Sequence, residues 1–276
     1  MSEPQRPANG DDVTEDASSN RFGRVGAVSR GSGGAEATGQ RGTSVWRELI
    51  ADERHGPLPL LLLALTVLTG VVDAVSILTL GRVFVANMTG NVVFVGFGIA
   101  GAPGFSLAAS LAALGGFLLG AFAGGRTIVA ADHGRGVLLR DAVSVEAALL
   151  VAGLVLAIAT GAPFSAAVRD GLAGLLATAM GLQNAAARKL AVPDLTTTVL
   201  TMTLTGIAAD RHEGARGPAV TLRVLAVTAM LAGAIVGALL VIKVSAIAAL
   251  GLAAALVAAV SAGATLAARR GADWQH

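Results

Sequence analysis

The sequence predicts an all-α polytopic membrane protein. About six full transmembrane helices combine with two re-entrant or broken helical segments in an inverted repeat; eight spanning helices are the alternative. Three observations predict this. The 276-residue chain is 54% hydrophobic and only 14% charged, with a mean hydropathy of +0.71; an ordinary soluble domain carries roughly 25% charged residues. From Leu58 onward the chain divides into eight apolar segments. Two of the eight are rich in polar residues, and they occupy corresponding places in the two halves.

Residues 1–44 are polar, rich in Gly and Ser, and mixed in charge. Such a stretch buries too little apolar surface to offset its ordering entropy, so a disordered tail is expected. No apolar run of roughly 7–15 residues follows its first charges, so it does not read as a signal peptide. Residues 45–57 form a short amphipathic lead-in, capped by Thr43 or Ser44 and ended by Gly56-Pro57. The apolar segments follow at about 58–80, 83–101, 105–125, 141–161, 166–187, 194–209, 219–242 and 244–268. Most approach the roughly 20 residues needed to cross a bilayer. Residues 269–276 form a C-terminal tail.

The second segment contains "VANMTGN" and the sixth reads "DLTTTVLTMTLTGIAAD". Gly70, Asp73 and Ala74 align with Gly181, Asn184 and Ala185, and each triplet precedes one of these polar segments. The third and seventh segments carry small-residue spacing at Gly116, Gly120 and Gly124, and at Gly233 and Gly237. These glycines are expected to let helices approach closely. They are not a nucleotide loop, because no strand precedes them. A first repeat over 58–162 and a second over 163–268 follow.

Charge decides how the weak segments run. If all eight cross and the N-terminus is cytoplasmic, eight basic residues lie inside and seven outside, against the positive-inside trend. If the second and sixth enter and leave on one side, twelve lie inside and only Arg82, Arg169 and Lys243 outside. The second arrangement has the expected asymmetry, with both termini cytoplasmic. It also makes the repeats inverted, a recurring transporter plan whose broken helices meet at a midplane site.

Asp73 is the sharpest candidate, since a carboxylate inside a span costs on the order of 3 kcal/mol and usually faces a bundle interior or a water-filled path. A helix-packing hydrogen bond is the plainer reading. Its repeat partner Asn184 follows Gln183, and both amides could equally join helices. Asn87, Thr89, Gly90 and Asn91 combine amides, a hydroxyl and permissive backbone, which suits a small polar ligand or the mouth of a broken helix. Thr197, Thr198 and Thr201 lead the hydroxyls of the sixth segment, although threonines commonly bond helix carbonyls instead. Glu146 reads as snorkelling to the interface, and Asp170, Asp194, Asp210 and Arg223 as interfacial segment ends.

Several function classes drop out. Cysteine is absent, which excludes disulfides and thiolate chemistry. The four histidines fall in loops or termini, and no zinc-protease, Walker A or nucleophile-elbow pattern occurs. No enzyme, metal, cofactor or nucleic-acid partner is expected; the partners are a lipid bilayer and a small solute.

With "GVVDAVSILTLGRVFVANMTGNVVFVG" and "GLQNAAARKLAVPDLTTTVLTMTLTG" both in view, the chain resembles the YoaK-like family of bacterial multipass membrane proteins. The resemblance covers roughly residues 58 to 268. It rests on Gly70, Asp73, Ala74, Asn87, Thr89, Gly90 and Asn91, then on Gly181, Gln183, Asn184, Ala185, Pro193, Asp194, Leu195 and Thr196 to Thr198. It implies a bacterial cytoplasmic membrane and a polytopic fold, and brings no established activity. Function therefore rests on the residues: a transporter or permease, proton-coupled through Asp73, or else a non-transporting scaffold, assembly factor or sensor.

Overall fold

The computed structural model describes residues 56–130, 134–192, 195, 197, 200–209 and 218–269. The tail at 1–44, most of the lead-in, Pro193, Asp194, Thr196, Thr198, Asp210 and residues 270–276 lie outside the described residues. What is described is helical: α1 Leu58–Thr79, α2 Met88–Ile99, α3 Leu107–Gly124, α4 Arg135–Thr160, α5 Ala166–Leu190, α6 Leu200–Ala209, α7 Pro218–Lys243 and α8 Ala246–Arg269. A π-helical turn, Gly125–Val129, continues α3.

Among the described residues, five helices are long and apolar enough to cross a membrane: α1, α3 with its π turn, α4, α7 and α8. α5 has the length, at 25 residues, but not the apolarity. Arg169 and Asp170 stand near its start, Gln183 and Asn184 in its body, and Arg188 and Lys189 in its last turn. Its packing explains this: α5 lies against α1, α3 and α4, so much of its surface meets protein. α2 and α6 have 12 and 10 residues. At 1.5 Å per residue they reach about 18 and 15 Å, against roughly 30 Å of hydrocarbon.

Local chemistry sets the boundaries. α1 stops where Gly81 (φ 95°) and Arg82 (φ 58°) turn left-handed in succession, a conformation that Gly adopts at little cost. Ser106 and Ser165 cap α3 and α5 by accepting hydrogen bonds from the amides of Ala109 and Val168, and Ser245 accepts from Ala248 before α8. α2 is anchored by aromatic packing. Phe84 stacks on Phe94 with centroids 5.7 Å apart, and Phe105 closes on Phe94 and Phe97 at 5.1 Å each.

Glycine builds the two tightest helix pairs, α3 on α5 and α1 on α7. A Cβ at Gly116, Gly120 or Gly124 would run into Gly174, Thr178 or Leu182 of α5 in turn. Contacts that advance together mean that α3 and α5 run parallel. A Cβ at Gly233 or Gly237 would likewise meet Val67 or Val71 of α1, so α7 and α1 also run parallel. The pairs correspond in detail. Gly181 backs onto Phe117 and Ala121 as Gly70 backs onto Met230 and Ala234. The same registers match Gly120 on Thr178 to Gly233 on Val67, and Gly124 on Leu182 to Gly237 on Val71.

α1 and α5 oppose one another. Thr69 of α1 meets Gln183 of α5, while Ile77–Thr79 share a cleft with Arg169 at the other end of α5. The remaining pairs join α4 to α5 and α8, and α1 to α8.

Glu146 corrects the sequence reading. It is fully buried in α4, and neither carboxyl oxygen has a hydrogen-bond partner among the described residues. An acid five residues into an apolar segment reads as interfacial, but α4 begins at Arg135, ahead of that segment. The extra turns at its start carry Glu146 inward, beyond the reach of its short stem.

Candidate functional site

Residues 80–87 interrupt the helical run between α1 and α2, and several of them are buried, including Leu80, Val83, Val85 and Ala86. Buried backbone without helical partners must find others, most stringently inside a membrane. Asp73 and Asn91 supply them. Oδ1 of Asp73 accepts from the amides of Val85 and Ala86, both at 3.1 Å. The Asn91 side chain accepts from the Phe84 amide at 2.9 Å and donates to the Phe84 carbonyl at 2.6 Å. Asn91 therefore replaces a strand neighbour for Phe84. Gly90 leaves room for the Phe84 ring, which a Cβ there would strike.

Asp73 has a second oxygen. Oδ2 makes no hydrogen bond among the described residues, and Asp73 lines a cavity of about 480 Å³ between the two short helices. The first polar segment contributes Phe84 and Ala86 to Gly90; α6 contributes Leu200, Thr201 and Leu204. Asn184, Phe117 and Met230 complete the wall. The cavity thus brings together six of the sequence-predicted residues, Asp73, Asn87, Thr89, Gly90, Asn184 and Thr201, while Asn91 holds Phe84 of its wall. The side chains of Asn87, Thr89, Asn184 and Thr201 make no hydrogen bond among the described residues. Asn184 is half-buried and Asn87, Thr89 and Thr201 are exposed; together these open side chains around one carboxyl form a set that a ligand can complete.

Other candidates fall elsewhere. Gln183 points away from the cavity and donates to the Thr69 hydroxyl at 3.1 Å, while Thr69 donates to the Leu65 carbonyl at 2.9 Å. This joins α5 to α1. Thr197 is buried in left-handed backbone (φ 59°), and its hydroxyl, outside the cavity wall, has no hydrogen-bond partner among the described residues. Thr198 lies outside the described residues. Thr205 bonds back to the Thr201 carbonyl at 2.9 Å, as helical threonines often do. Gly116, Gly120, Gly124, Gly233 and Gly237 lie in the helix contacts described above. The sequence reading missed Phe117 and Met230, which carry no polar signal. Their positions on the glycine-bearing faces of α3 and α7 are the cue that could have found them.

A second cleft adjoins this cavity, and Phe117 and Asn184 line both. It runs along α3 and the π turn to the exposed Arg188 and Lys189 in the last turn of α5, where basic side chains complement the helix dipole. Among the described residues no group of His, Asp or Glu is arranged to hold a metal ion.

The family DUF1275, described as a protein of unknown function, matches residues 61–263. The UPF0700 transmembrane protein YoaK of Bacillus subtilis (strain 168) is 36% identical over 151 residues, covering 54% of this chain and 65% of that protein. The match therefore spans just under two thirds of the relative's length. No solved structure matches the chain.

Proposed function

The chain belongs to the DUF1275 family of membrane proteins of unknown function, and from that premise we propose that it is a permease for a small polar solute, proton-coupled through Asp73. One observation carries the proposal. A cavity between the two short polar segments gathers one carboxyl and four uncommitted polar side chains. Sites at the meeting point of broken helices are the transporter arrangement.

The architecture of the proposal is six spans with α2 and α6 as re-entrant segments, in two inverted halves. The matched glycine contacts of α3 on α5 and α7 on α1 support equivalent halves. The opposed senses of α1 and α5 support their inversion. The basic-residue asymmetry supports cytoplasmic termini in a bacterial cytoplasmic membrane. In this reading the bilayer and the solute are the partners, and the chain is not an enzyme. Cysteines introduced at Arg82 and Ala100 should label from one face of the membrane; labelling from opposite faces restores eight spans.

A scaffold reading has its own support, because Gln183 on Thr69 and Asn91 on Phe84 use polar groups only to lock the chain. The Asp73→Asn variant separates the two. Asn retains an oxygen for the Val85 and Ala86 amides and loses the exchangeable proton. In proteoliposomes charged with a solute found by thermal-shift screening, a permease loses pH-dependent uptake on this change and keeps its fold. A scaffold changes only in melting temperature.

A further inference from the structure

The cavity wall also bears on the charge of the solute. We infer that the cavity takes a small organic cation, an ammonium on an apolar body, and exchanges it for a proton at Asp73; this rests on the permease reading above. Asp73 is the only charged residue among the described residues of the wall. The elements packed against α1 bear Arg169, Asp170, Arg188 and Lys189 on α5, Arg223 and Lys243 on α7, and Arg269 on α8. None of these lines the cavity. Glu146 is buried in α4 and does not line it either.

An anion placed there would face Asp73 with no cation in the wall to offset it, a costly arrangement away from bulk water. A cation meets the opposite circumstances. Oδ2 of Asp73 is uncommitted, and the amide oxygens of Asn87 and Asn184 can accept further hydrogen bonds. Phe84 and Phe117 stand in the wall, and aromatic side chains attract ammonium groups. Met88, Leu200, Leu204 and Met230 give the apolar body its contacts. At about 480 Å³ the cavity has the size of an ordinary small-molecule site.

Exchange follows from there being one acid. A single carboxyl balances either a proton or an ammonium, not both. When the cation binds, the proton on Asp73 leaves for water, and a carboxylate–ammonium pair replaces the O–H bond with no other bond changed. By linkage each ligand weakens the other by the same factor.

The test uses the purified full chain and three size-matched probes: benzyltrimethylammonium, benzyl alcohol and benzoate. Calorimetry in two buffers of different ionisation enthalpy counts the protons released. The expected result is binding of the cation alone, with up to one proton released per cation. Its affinity should weaken about tenfold per pH unit once the acid is protonated. Asp73→Asn should cost at least tenfold in cation affinity and remove the pH dependence, with an unchanged melting temperature. Preference for benzyl alcohol or benzoate, no binding by any probe, or cation binding indifferent to pH and to Asp73→Asn would each overturn the inference. The permease reading fails separately: Thr201→Trp, which fills the cavity, would then leave proteoliposome uptake unchanged.

Discussion

Asp73 of α1 and Glu146 of α4 are both buried carboxyls well inside apolar helices, yet only one of them faces open space. Oδ1 of Asp73 holds two backbone amides and Oδ2 is left to a cavity. Glu146 is fully buried, and neither of its oxygens has a hydrogen-bond partner among the described residues. The difference teaches that an intramembrane acid is informative through its surroundings. Asp73 is bound into a break in the helical run, where backbone amides need an acceptor and a polar site can form. Glu146 stands in an unbroken helix, where its charge serves no backbone need.

Substitutions at these two acids bear directly on the comparison. The largest effect is expected at Asp73. Asp73→Asn should reduce pH-dependent uptake to background while the melting temperature holds. Asp73→Ala should add a stability loss of about 2–4 kcal/mol in denaturant titration, because the Val85 and Ala86 amides lose their acceptor. Asn91→Ala should cost a similar or slightly smaller amount, roughly 2–3 kcal/mol, by stripping both backbone partners from Phe84. If Asn91→Ala left stability unchanged, the break would not depend on side-chain acceptors.

Gly120→Leu should cost about 1–3 kcal/mol through overpacking against Thr178, and Gly233→Leu a similar amount against Val67. A large cost at one glycine and none at the other would break the equivalence of the two halves. The smallest effect is expected at Glu146. Replacing a buried carboxyl that has no hydrogen-bond partner by an apolar group of similar size removes a desolvation cost. Glu146→Leu should therefore shift stability by no more than about 1 kcal/mol, in the favourable direction. A large loss would show that Glu146 has a partner in the working protein.

Much of this was legible in the sequence. Hydropathy located the apolar segments, and Gly70 and Gly181, which the sequence aligned, each lie in a close helix contact. Polar residues in apolar surroundings located the cavity, because such residues must meet protein or water. What was illegible depended on neighbours. Nothing in "VANMTGN" distinguishes Asn91, spent on Phe84, from Asn87, which is free; their roles differ because the backbone of 80–87 folds over one of them. Gln183 and Asn184 are adjacent, but helical rotation sends one to Thr69 and the other to the cavity. Glu146 was misplaced because the true start of α4 includes the polar residues Arg135 to Asp141, which hydropathy assigns to a loop.

The most direct test of Asp73 as the coupling group is pH-driven uptake in proteoliposomes by the wild-type chain, Asp73→Asn and Glu146→Gln, measured side by side at equal protein content. The account predicts uptake that responds to pH in the wild type and in Glu146→Gln, and none above background in Asp73→Asn. Retained pH-driven uptake in Asp73→Asn, or its loss in Glu146→Gln alone, would contradict it.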